Sequence, residues 1–190
     1  MLSATVVQLN HPREGQGILN FADYDPTVGF DGVSAGLLDT NFDTIEVQNS
    51  GWDGSDEESL HDWFSFLNQG LRTAAVGVSD SHGLSTMLGR ARTLVQVPDD
   101  TISAELDLQP LWDNLKAQRA VVVAGPFVQL WSVDGQGAEA GLGETVTRTA
   151  ADGDLRVRVR IQAAPFVDTQ RLVLVVNGAE EAVVTLPDPG

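Results

Sequence analysis

Hydrophobic and polar positions run along this chain in two rhythms, and the change between them divides it. Ala4–Leu9 is a short apolar run rich in Val and Thr that ends in Asn10-His11-Pro12. It predicts a strand, with Pro12 biasing His11 toward extended geometry just past it. The Gly- and Pro-bearing stretch Glu14–Asp39 shows little periodicity and reads mostly as loop. Phe42–Gln48 predicts a second strand in which Glu46 faces opposite to Ile45 and Val47. Ser55 and Glu58 have the spacing of a capping box. Leu60, Trp63, Phe64 and Leu67 then recur at i, i+3, i+4 and i+7, predicting a helix with one apolar face that stops at Gly70. Thr73–Ser79 predicts a third strand. Strand, helix and strand at these lengths make a βαβ unit, so strands two and three should be parallel.

Beyond it, Arg92–Val97 predicts a short strand, and Leu108, Leu111, Trp112 and Leu115 a helix with Pro110 in its first turn. From residue 119 the rhythm is strand-like only: Ala120–Ala124, Phe127–Val133, Leu155–Ile161, Leu172–Val176 and Ala182–Leu186. Leu155, Val157, Val159 and Ile161 alternate with Arg156, Arg158 and Arg160, the pattern of a sheet with one face in water. Asn177-Gly178 between two apolar runs signals a hairpin. The expected organisation is therefore α/β over residues 1–118, then a small antiparallel β domain over residues 119–190.

Charge and composition narrow the function. The 190 residues carry 11 basic and 27 acidic side chains, a net charge of −16, which repels phosphate backbones and anionic lipid. Nucleic-acid and membrane-surface partners are thereby disfavoured, leaving a small-molecule substrate as the expectation. With no cysteine there is no disulfide framework, thiolate zinc site or cysteine nucleophile. No apolar run approaches the ~20 residues of a membrane span, and Met1–Leu9 lacks the basic start and long apolar core of a signal peptide, so a soluble chain of undetermined location is expected.

Three histidines remain as candidate chemistry: His11, His61 and His82. His61 falls on the predicted helix. His11 and His82 each fall just beyond the C-terminal end of a predicted strand, as does Asp80 in Val78-Ser79-Asp80-Ser81-His82, and ligands collect at that end of parallel α/β sheets. A carboxylate and an imidazole directed into one pocket suit Zn, Mn or Fe. The same residues also fit a plainer arrangement, with Ser79, Asp80 and Ser81 capping a short helix near Leu84 and Asn10-His11-Pro12 forming an ordinary turn.

Five segments occur in a familiar order: Asn10-His11-Pro12-Arg13, Ile45-Glu46-Val47-Gln48-Asn49, Leu67-Asn68-Gln69-Gly70, Ala75 through His82, and Gly125-Pro126. Over nearly its whole length the chain resembles the C-terminal part of a PHP-superfamily metallohydrolase of the carbaryl-hydrolase-like CehA/McbA type. The resemblance implies a partial PHP-like (βα) barrel and a metal-dependent hydrolase acting on a phosphoester, amide or carbamate. It implies His11, Asp80 and His82 as metal ligands and Glu46 as a carboxylate near the mouth. Arg13 could stabilise an anionic intermediate, although a surface loop arginine fits its position equally well. Members of that family begin with His-x-His and Thr-Asp-His segments that supply most of the first metal shell, and this chain has neither. The expectation is thus the C-terminal half of such an enzyme. The alternative is an inert remnant acting as an interaction or ligand-binding module.

A barrel reduced to three strands would leave Val6, Val7, Ile45, Val47, Val76 and Val78 uncovered, which predicts a homo-oligomer or a complementing N-terminal barrel half. Sedimentation at micromolar concentration should then give a species heavier than the 20.3 kDa chain. A well-behaved monomer would mean that Glu14–Asp39 folds back over that face.

Overall fold

Residues Thr44–Gln48 are buried without a break, on both faces of one strand, which is the environment a parallel sheet requires. In the computed structural model, which describes residues 6–33, 36–84, 87–99, 107–134, 137–147 and 153–187, that strand is the middle of a three-stranded parallel sheet. Its order is β1 (Gln8–Leu9), β2 (Thr44–Asn49) and β3 (Ala74–Val78). Helix α2 (Gly54–Asn68) connects β2 to β3, giving the expected βαβ unit. The β2–β3 register slips between Glu46 and Gln48, a bulge that bends the ladder close to the strand ends.

Helix α2 begins two residues earlier than its sequence suggests. Asp53, not Ser55, is the N-cap: its carboxylate accepts the N–H groups of Ser55 (2.8 Å) and Asp56 (3.3 Å), and Asp56 accepts the Asp53 N–H at 3.0 Å. The buried side of the helix also differs. Asp56, Ser59, Asp62, Ser65 and Phe66 are buried, whereas Leu60, Trp63, Phe64 and Leu67 are only partly covered.

A strap over the sheet explains the exchange. The segment after β1 carries the short helix α1 (Ile18–Phe21) and a 3₁₀ turn at Gly29–Gly32, and it lays Leu19, Tyr24 and Phe30 against Ile45, Val47 and Phe66. Phe30 stacks on Phe66 at 5.2 Å between centroids, and Tyr24 meets the same ring edge-on at 5.1 Å. Polar side chains of α2 tie the strap down: Ser65 Oγ donates to the Pro26 carbonyl (2.8 Å), and Gln69 Oε1 accepts the Phe30 N–H (2.7 Å). Apart from these two short helical pieces the described part of this segment is loop, as expected, and it covers Ile45 and Val47 within the chain. Val7, on the outer strand, stays exposed.

Arg13 is the strap's anchor. Its Nε and Nη2 both reach the Asp62 carboxylate at 2.6 Å, Nη2 also donates to the Tyr24 carbonyl at 2.7 Å, and Nη1 donates to Asn20. Asp62 is wholly inaccessible to solvent, and its hydrogen bonds push the guanidinium still further above its ordinary value.

The rest of the chain is antiparallel. Strand β4 (Arg92–Val95) pairs with β5 (Ala120–Val123) across helix α3 (Leu108–Lys116). The Thr93 hydroxyl stitches β4 to β3 through the Gly77 N–H (2.9 Å) and carbonyl (3.0 Å). The boundary expected after residue 118 therefore falls between two strands that pair with one another. Beyond it lie β6 (Phe127–Val133), β7 (Glu139–Ala140) and β8 (Arg156–Gln162) in the order β7-β6-β8, then the hairpin β9 (Arg171–Val176) and β10 (Ala179–Thr185). Asn177 and Gly178 turn that hairpin with φ of 54° and 82°, both left-handed, and the Asn68 side chain of α2 holds the tip through the Asn177 carbonyl (3.0 Å). Among the described residues beyond Val123 none is buried. The molecule is a mixed helix-and-strand fold with several small sheets, and among the described residues no sheet closes into a barrel.

Removing the anchor should show in stability. Arg13→Met leaves the Asp62 charge buried without a partner, a loss of about 3–5 kcal/mol read from urea unfolding. The double change Arg13→Met with Asp62→Leu should recover most of it, because the uncompensated charge goes too.

Candidate functional site

Parallel strands that enter a sheet together also leave it together, so the C-terminal ends of β1, β2 and β3 bring His11, Asn49 and Asp80 to one rim. Backbone strain gathers there. His11 (φ 47°), Ser50 (φ 55°) and Asp80 (φ 42°) all occupy the left-handed region, and each directly follows or lies just past a strand end. His11 does not adopt the extended geometry that Pro12 favours. The chain reverses so tightly after it that a Cβ on Gly17 would collide with the carbonyl oxygens of His11 and Pro12.

The side chains on this rim converge. His11 Nδ1 lies 3.0 Å from Glu46 Oε1 and 3.0 Å from Asn49 Nδ2. Asn49 Nδ2 also reaches Asp80 Oδ2 at 3.4 Å. Asp80 Oδ1 lies 2.6 Å from His82 Nε2 and 4.0 Å from His11 Nε2, so the two imidazole nitrogens face one carboxylate oxygen. Glu14 closes the outer side of His11 at 3.5 Å. His82 is exposed, and Asp80 and His11 are partly so.

Glu46 is the buried member. Only 3% of it is accessible, Oε1 has His11, and Oε2 has no hydrogen-bond partner. Burial pushes its carboxyl above the ordinary value, and the His11 ring opposes that shift. Nδ1 serves one of these partners at a time: carrying a hydrogen it donates to Glu46, and without one it accepts from the Asn49 amide nitrogen, which only donates. With the hydrogen on Nδ1, toward Glu46, the Nε2 lone pair is left on the side of Asp80 and His82.

Such a donor set, two imidazole nitrogens and one carboxylate with a second carboxylate behind, is chemically suited to a borderline divalent cation. The unpartnered Glu46 Oε2 points the same way, since an orphaned buried oxygen ordinarily has a cation or water to satisfy it. The fit is chemical rather than geometric: among the described residues no three His, Asp or Glu side chains stand as a formed metal shell. Asp80 and His82 are hydrogen-bonded to each other instead.

The sequence leaves Arg13 open to two roles, donor to a developing oxyanion or surface loop arginine. Its Nε and Nη2 are instead spent on Asp62 and the Tyr24 carbonyl, so its role here is to order the loop that carries His11. His61 is exposed on α2, away from this hydrogen-bonded group. Two contributors were given no role by the sequence. Asn49 ends β2 as His11 follows β1 and Asp80 follows β3, and that shared position was the available signal. Asp56 accepts the Asn49 N–H at 2.7 Å, a contact that only the folded chain reveals. A cavity of about 600 Å³ lies elsewhere, among Leu94, Leu111, Arg119, Phe127 and Trp131, and none of the rim residues lines it.

Comparison of the chain with protein-family models, curated proteins and solved structures gives no match.

Glu46 yields a signed prediction for the metal-free protein. A carboxyl raised on folding contributes stability that is present below its unfolded value, near 4.3, and is lost as pH rises through the folded value. Glu46→Gln removes that loss. In urea unfolding with a chelator present, the variant should match the wild type near pH 4 and pull ahead of it as pH rises toward neutrality. Parallel curves for the two proteins across this range would show that burial of Glu46 carries no such penalty.

Proposed function

We propose that this chain is the metal-holding C-terminal part of a hydrolase of the PHP-like, carbaryl-hydrolase-like type, acting on a phosphoester, amide or carbamate. The observation that carries the reading is the convergence of His11, Asp80 and His82 around one carboxylate oxygen, backed by the buried Glu46, at the C-terminal rim of a parallel sheet. His11, Asp80 and His82 would hold a Zn, Mn or Fe ion. Such an ion, when bound, lowers the pKa of water toward ~7 and so supplies a nucleophile.

The chain's own residues prepare that chemistry. Glu46 holds the Nδ1 hydrogen of His11, fixing the tautomer whose Nε2 is free to act as a ligand. Asp80 presents a carboxylate oxygen within reach of both rings. Among the described residues no sheet closes into a barrel around the rim, so water exclusion and substrate orientation call for further walls, from an N-terminal barrel half or a second copy of the chain.

A second reading has its own support. Because Asp80 and His82 satisfy each other at 2.6 Å, the rim is also consistent with an inert remnant in which these groups cap the strand ends.

Titration calorimetry with Zn or Mn separates the two. The proposal expects saturable binding that is weakened far more by His82→Ala than by His61→Ala, because His61 stands on the exposed flank of α2. Absence of binding, or equal loss in the two variants, favours the remnant. Even when loaded, the isolated chain should turn over generic phosphodiesters or esters well below the ~1–10³ per second usual for enzymes. Turnover within that range would show that the site is complete.

A further inference from the structure

We propose that Asn49 is a positioning residue: anchored to the first turn of α2, it holds the His11 ring and the Asp80 carboxylate within reach of each other. The inference rests on the metal reading above only for its second readout.

The anchor is specific. The Asn49 N–H donates to Asp56 Oδ1 at 2.7 Å, and the other oxygen of Asp56 takes the Asp53 N–H at 3.0 Å. One buried carboxylate therefore closes the capping box of α2 and pins the last residue of β2. That matters because β2 has a register slip just before this point and Ser50 just after it takes a left-handed backbone. A strand end disturbed on both sides would not by itself fix the direction of its side chain.

What the anchor presents is an amide wedged between two site residues. Asp80 can only accept, so the amide nitrogen rather than the oxygen of Asn49 faces it, with Oδ2 at 3.4 Å. The same nitrogen lies 3.0 Å from His11 Nδ1. With the ring hydrogen given to Glu46, Nδ1 cannot also accept from this donor, so the amide bounds the swing of the imidazole by contact, and it spends a hydrogen on Asp80. His11 and Asp80 belong to loops after different strands, β1 and β3, and both carry left-handed backbones. Among the described residues, Asn49 is the only one whose side chain lies within hydrogen-bond distance of both and whose main chain is tied to a helix cap. Its loss should release the two independently.

The test has a metal-free arm and a metal arm. In metal-free protein, ¹⁵N-edited NMR of the histidine rings should show the His11 signals displaced in Asn49→Ala. They should be displaced also in Asn49→Asp, which keeps the shape and the main-chain anchor but turns the donor into an acceptor facing Asp80. Asp56→Ala should abolish exchange protection of the Asn49 N–H and displace the same His11 signals. In the metal arm, Zn affinity by calorimetry should fall about 10- to 100-fold in Asn49→Ala, the size expected for a residue behind the ligands. Asp56→Ala should add little in the Asn49→Ala background, because both act through one side chain. His11 signals that coincide in wild type and in both folded Asn49 variants would overturn the proposal, as would Zn affinities that do not differ. If the wild type binds no Zn at all, the metal reading fails, and the displacement or coincidence of the His11 signals decides the role of Asn49 alone.

Discussion

The arrangement depends on a buried ion pair. Arg13 grips Asp62 with two short hydrogen bonds, and through them the loop after β1 is lashed to the middle of α2. A charge wholly inside a small protein is costly unless its partner is held in place, so the pair leaves little freedom to residues 11–24. With Arg13 placed, Tyr24 follows, because its carbonyl takes a hydrogen from the same guanidinium and its ring lies beneath it at 6.0 Å. Leu19, Tyr24 and Phe30 then cover Ile45, Val47 and Phe66. His11 lies two residues from the anchor. An interaction that carries no chemistry thus sets where the chemistry stands.

The same economy appears at the rim. Asp53 and Asp56 are acidic residues at the positive end of α2, where they stabilise the helix, and Asp56 also fixes the end of β2. Glu46 sits where a methyl-bearing side chain would cost less, buried with one oxygen unpartnered. Three left-handed backbones, at His11, Ser50 and Asp80, follow the ends of the same three strands. Local rules of propensity and polar satisfaction are broken together at one place, and such departures gather at functional or strained sites.

Much of the fold was legible because its causes are local. The strand–helix–strand unit over residues 42–79 follows from apolar periodicity and from Gly70, and the last hairpin follows from Asn177-Gly178, whose left-handed angles suit a tight turn. The candidate ligands were legible for a related reason: strand ends are readable from periodicity, and parallel strands end together. Less was legible where a long-range partner decides. Asp62 reads as a solvated helix position until Arg13, 49 residues away, is set against it. Residues 14–33 have no periodicity because they pack as a strap, side chain by side chain, on elements distant in sequence.

The sequence by itself determined the order of elements, the parallel pairing of β2 with β3, the turn at Asn177-Gly178 and the placement of His11, Asp80 and His82 just past strand ends. Each of these follows from rules acting over a few residues or from the handedness of the backbone. Only the tertiary structure decided that β5 joins β4 across the expected boundary, that Arg13 serves the fold, and that Asn49 lies between His11 and Asp80. Those outcomes depend on which buried charges and hydrogen-bonding groups meet, and a buried group takes whichever partner the packed chain brings within about 3 Å.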